Sequence, residues 1–131
     1  MNTVLRDAIE VGVPQGHARQ ARRVITQTLE AWGLPHLTRG AVMVGHELVA
    51  NALRHGVPPA VLRLLLRGDA VVIEVGDGSE QLPHIAEIDN QTSTSGRGMW
   101  IVSKLARSWG VRAHPGGKTV WAEIALERYS L

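Results

Sequence analysis

The segment that most restricts the fold is HELVANALRHG, residues His46 to Gly56. It lies within a run of helical spacing in which Val42, Val44, Leu48, Val49, Ala52 and Leu53 are apolar. Yet Glu47, Asn51 and His55 recur every four residues. Each such step turns an α-helix by only ~40° and climbs ~6 Å, so a carboxylate, a carboxamide and an imidazole share one face. Arg54, seven residues beyond Glu47, returns to nearly the same face. A helix this apolar is packed almost all round, and a polar ladder on it requires something polar opposite.

The rest of the chain supplies the layers. Residues 3–11 read as a first strand of poor alternation, and Pro14, Gln15 and Gly16 break it. From His17 to Trp32, Ala18, Ala21, Val24, Ile25, Leu29 and Trp32 follow helical spacing, with Arg19, Arg22, Arg23 and Glu30 on the other face. Gly33 and Pro35 stop this helix, and the ladder helix runs from Leu37 to His55. Ala60–Arg67 and Ala70–Val75 read as strands joined by a Gly68-Asp69 turn. Glu80 to Gly96 has no clear period. A third helix is predicted over 98–108, then a hairpin of Val111–His114 and Thr119–Leu126 around Pro115-Gly116-Gly117. This order predicts one α+β domain over residues 1–131: a two-layer sandwich with helices on one face of a mixed, mostly antiparallel sheet.

Composition narrows the function classes. With no cysteine, disulfides and thiolate metal sites are excluded. Arg63 and Arg67 interrupt the longest apolar stretch, so no membrane span is expected. The N-terminal MNTVLRDAIE has no apolar signal-peptide core, and the expectation is a cytoplasmic protein. The net charge of +2 reads as an ordinary solvated surface. Arginines and aromatic residues are not interleaved, so direct nucleic-acid binding is not expected.

Several short motifs fail when taken singly. His46-Glu47 begins a zinc-protease pattern, but the second histidine is replaced by Ala50. Gly117-Lys118-Thr119 has the ending of a P-loop, but Arg112 stands where the opening glycine belongs and a strand follows. Gly96-Arg97-Gly98 starts a dinucleotide fingerprint whose third glycine is Ile101. What survives there is the physics: glycines opening a helix expose N–H groups at the positive end of its dipole, where phosphates bind. Asp77-Gly78-Ser79 alone reads as a turn, and the ladder alone as a self-satisfying polar network.

Their combination is more specific. E-x3-N-x2-R-H on a helix, D-x-S after a strand, a polar segment, GRG opening a helix and GKT on a late strand occur in one order. The phrases ELVANALRHG, IEVGDGS with Pro83, SGRGMWIV and GGKTVWAEI resemble the GHKL (Bergerat-fold) ATPases. Within them they resemble the small stand-alone anti-sigma-factor serine/threonine kinases. The resemblance covers residues 10–127.

The resemblance implies ATP and Mg²⁺ as cofactors. Glu47 would be the general base, Asn51 would hold Mg²⁺, and Arg54 and His55 would lie against phosphates or ribose. Asp77 would bind the adenine amino group, helped by Ser79 and a water, and Gly78 stands at the site where glycine or an acid is often seen. Residues 83–97 would form a lid over the nucleotide. Gly96, Arg97, Gly98 and Met99 would cradle phosphates, and Lys118 and Thr119 would complete the site, with Thr119 supporting Asp77. The implied activity is serine phosphorylation of an anti-sigma-antagonist protein, combined with sequestration of an RNA polymerase sigma factor by a homodimer. The alternative is a non-catalytic ATP-binding module that holds a sigma factor or another regulator.

Overall fold

The computed structural model describes residues 4–80 and 94–127, with the backbone alone over 94–97. Strand β1 (Leu5–Val13) leads into α1 (Ala18–Ala31), a 3₁₀ turn (Pro35–Leu37) and α2 (Thr38–His55). The hairpin β2 (Ala60–Arg67) and β3 (Ala70–Asp77) follows, then α3 (Thr94–Leu105), β4 (Ser108–His114) and β5 (Gly117–Ala125). The strands form one sheet in the order β1-β2-β3-β5-β4. All four pairings are antiparallel, so the sheet is uniform rather than mixed among the described residues.

Alternation sets the two faces of this sheet. Leu62, Leu64 and Leu66 on β2, Val71, Ile73 and Val75 on β3, and Val120, Ala122 and Ile124 on β5 turn to one side and join the core. The register aligns Leu64, Ile73 and Ala122 in one row and Leu62, Val75 and Val120 in the next. Helix α2 lies on this face and buries Ala41, Val44, Gly45, Leu48, Val49 and Ala52. Its burial is one-sided rather than all round, because His46 is exposed and Met43 is 44% exposed. Helix α1 adds Ala21, Ile25 and Leu29 to the core, and α3 adds Met99 and Val102.

The opposite face carries charge. Arg63 bridges Glu10 at 2.8 Å and Glu74 at 3.7 Å, and Arg112 reaches Glu74 at 3.2 Å. Glu74 is buried at 6% exposure, and these two guanidiniums compensate it. Among the described residues no helix is long and apolar enough to cross a membrane.

Gly45 has a packing reason. A Cβ there would run into Ile25 Cδ1 of α1 and lie 3.9 Å from Ile73 Cγ2 of β3. The glycine lets α1 and β3 close on α2 at one point. This offsets the ~1 kcal/mol that glycine costs inside a helix.

Candidate functional site

Two side chains separated by thirty residues mark the site: Glu47 on α2 and Asp77 at the end of β3. Asp77 occupies the last position of the core-facing row Val71, Ile73, Val75. The sheet therefore delivers a carboxylate where the apolar pattern predicts another aliphatic residue. Its side chain is 1% exposed.

Three segments close around it. Gly56, just beyond α2, has room for no side chain: a Cβ would lie 2.6 Å from Asp77 Cγ and 2.7 Å from Oδ2. After it, Val57 O accepts a hydrogen bond from Gly78 N at 2.8 Å, fixing the exit of β3 against the exit of α2. Gly117, at the start of β5, passes so close that a Cβ would collide with the Asp77 carbonyl oxygen. Gly116 before it has φ +82°, a backbone state that glycine adopts without penalty, so the β4–β5 turn can deliver β5 to this position.

The Asp77 carboxylate is held from two directions. Oδ1 accepts from Ser79 N at 2.7 Å and from Lys118 Nζ at 3.0 Å. Lys118 is Asp77's register partner on β5 and its side chain is 4% exposed. Thr119, expected behind Asp77, faces the other way. It pairs with Gly76, and its hydroxyl lies 3.3 Å from His114 Nε2. The period-two alternation of a strand puts successive residues on opposite faces, so Lys118 and not Thr119 supports the aspartate.

At the other end of the site, Glu47 is half-buried and meets α3. A Cβ on Gly98 would lie 2.7 Å from Glu47 Oε2. The helix pair therefore approaches closely at these two residues. Asn51 is half-buried one turn along, and Arg54 and His55 are exposed beyond it. From Glu47 to Gly56 the helix advances about 13 Å, which sets the length of the site.

The start of α3 corrects one expectation. The helix begins at Thr94, not Gly98. The N–H groups left open by its first turn therefore fall within 94–97, which include Gly96 and Arg97. Gly98 and Met99 lie in the second turn, where N–H groups serve the helix's own carbonyls. Met99 is 2% exposed and packs in the core. Gly98 contributes the close approach to Glu47 instead of a phosphate donor. Most of the proposed lid, residues 83–93, lies outside the described residues.

Two contributors were not singled out from sequence: Gly56 and Gly117, each pressed against Asp77. The Asp77–Lys118 pairing was likewise not foreseen. Pairing β3 with β5 by their apolar rows, Val75 with Val120, would have found it. Among the described residues no three His, Cys, Asp or Glu side chains cluster as a metal site. A divalent ion here would be held chiefly by a ligand's own oxygens, with a carboxamide such as Asn51 beside it.

A family model for the histidine kinase-like ATPase domain matches residues 13–124, most of the chain and all of these site elements. None of the curated proteins matches the chain.

Proposed function

Since the chain belongs to the histidine kinase-like ATPase domain family, we propose that it binds Mg-ATP along α2 and transfers phosphate to a serine of a partner protein. The observation that carries this reading is Asp77 Oδ2, a buried carboxylate oxygen that receives no hydrogen bond from the described residues. Lys118 Nζ, 3.0 Å away, compensates its charge, and a ligand N–H would supply the hydrogen bond it lacks. The 6-amino group of adenine is such a donor.

The residues present fit the nucleotide at both ends. Gly56 and Gly117 put no side chain against Asp77, and the open N–H groups of α3's first turn favour anionic oxygens. Bound Mg²⁺ would neutralise phosphate charge and orient the transferred group. Asn51 would hold that ion, while Arg54 and His55 would lie beside the phosphates or ribose. Glu47, half-buried beside Gly98, would accept the proton of the attacking serine hydroxyl. Phosphoryl transfer needs mainly this positioning and charge compensation.

The substrate in this reading is an anti-sigma-antagonist protein, and the same chain sequesters an RNA polymerase sigma factor. A homodimer would use β1 and α1, whose outer positions are exposed. The test is transfer of labelled phosphate from ATP to purified antagonist proteins by the wild type and by Glu47→Ala. Acid-stable serine phosphate that is lost in Glu47→Ala, with ATP binding retained, is the expected result. Sigma sequestration and its regulation unchanged by Glu47→Ala, with no transfer by the wild type, would overturn the kinase and leave a binding module.

A further inference from the structure

The two oxygens of Asp77 have unequal surroundings. Oδ1 takes hydrogen bonds from Ser79 N and from Lys118 Nζ. Oδ2 lies 3.0 Å from the same Nζ, off the hydrogen-bonding direction, and receives no hydrogen bond from the described residues. An ammonium has three N–H groups, and Oδ1 uses one. At this buried corner the protein therefore offers an acceptor and a donor 3.0 Å apart.

Stability does not explain the lysine. Its row on β5 continues as Val120, Ala122 and Ile124, all buried and apolar. A buried ion pair is often no more stabilising than an apolar pair of similar volume. Ser79 N already orients the carboxylate. An acceptor beside a donor is instead the complement of adenine's outer edge, where the 6-amino group adjoins N1.

Resting on the ATP-site reading above, we infer that Lys118 is a specificity-determining residue for the base. Its ammonium donates to N1 of the adenine whose 6-amino group donates to Asp77 Oδ2. Asp77 and Lys118 together distinguish a base with this donor–acceptor order from one that lacks either function.

The experiment compares Mg-ATP with Mg-1-deaza-ATP, in which C–H replaces N1 and the 6-amino group is kept. Both are titrated into the wild type and into Lys118→Met. The wild type is expected to bind ATP about ten-fold or more tightly than the deaza analogue. Lys118→Met is expected to bind the two equally. Equal affinities in the wild type, or a preference that survives in Lys118→Met, would overturn the role of Lys118 and leave the nucleotide site standing. A lysine that only props Asp77 gives that result, because its loss weakens both nucleotides alike. No binding of either nucleotide by folded wild type would overturn the ATP site as well. Lys118→Met leaves the Asp77 charge buried without its counter-ion. Should it fail to fold, the wild-type comparison decides alone, since equal affinities for ATP and the deaza analogue would still overturn the role of Lys118.

Discussion

Glu47 and Gly98 define each other at the residue scale. The carboxylate can sit against α3 only because position 98 has no side chain. In Gly98→Ala the new Cβ displaces the end of a flexible glutamate, not backbone, so folding should survive. In the proposed kinase Glu47 would then be misplaced as base, and small misplacements of reacting groups are expensive in rate. We expect little change in melting temperature and a ten- to hundred-fold loss of phosphotransfer, with ATP affinity largely kept. Equal transfer rates for Gly98→Ala and wild type would remove Glu47 from the chemistry. The ladder residues were legible in the sequence because helix periodicity is local. The role of Gly98 was not, because it depends on where a helix starts. The sequence suggested a start at the GRG glycines, while the backbone turns helical four residues earlier, at Thr94.

At the scale of elements, α2 is the axis on which α1, α3 and the sheet converge, and at Gly45 Ile25 of α1 and Ile73 of β3 come against it. Gly45→Ala gains helix propensity but drives a methyl into Ile25 Cδ1. Overpacking of this kind costs about 1–3 kcal/mol. Denaturant unfolding should show Gly45→Ala less stable than wild type. Ile25→Val, which lacks the clashing atom, should recover most of that loss in the double variant. Additive effects of the two substitutions would contradict the contact.

Far from the site, Arg107 joins the β2–β3 turn to β5. Its side-chain hydrogen bonds, and then its charge, hold the Asp69 carboxyl below its ordinary value of 3.8. Its guanidinium lies 3.2 Å from Asp69 and 3.3 Å from Glu123. A depressed carboxyl contributes stability that is fully present above the unfolded value and is lost as pH falls through the folded value. Titration by NMR should place Asp69 below 3.8, and Arg107→Ala should return it toward 3.8. Asp69 is exposed, so the effect on stability will be small. The hairpins themselves were legible from apolar runs and turn residues. The ends of β3 and β4 were not. β3 runs on through Gly76 to Asp77 and β4 begins at Ser108, because pairing with β5 overrides local propensity there.

At the scale of the whole molecule, one sheet separates two environments. Helices and the candidate site occupy one face, and the Glu10–Arg63–Glu74–Arg112 network occupies the other. The α+β class was legible because the order of helical and alternating segments admits few arrangements. The register of β3 on β5 was not written in either strand alone, and it decides that Lys118 rather than Thr119 faces Asp77. In the proposed function α2 and the end of β3 together bind a magnesium nucleotide. Calorimetric titration of Mg-ATP into the wild type and into Asn51→Ala tests it most directly. Asn51 is half-buried, so its truncation should spare the fold. Saturable binding by the wild type, weakened at least ten-fold or lost in Asn51→Ala, is the predicted result. Absence of binding by folded wild type, or equal binding by the variant, would contradict the account.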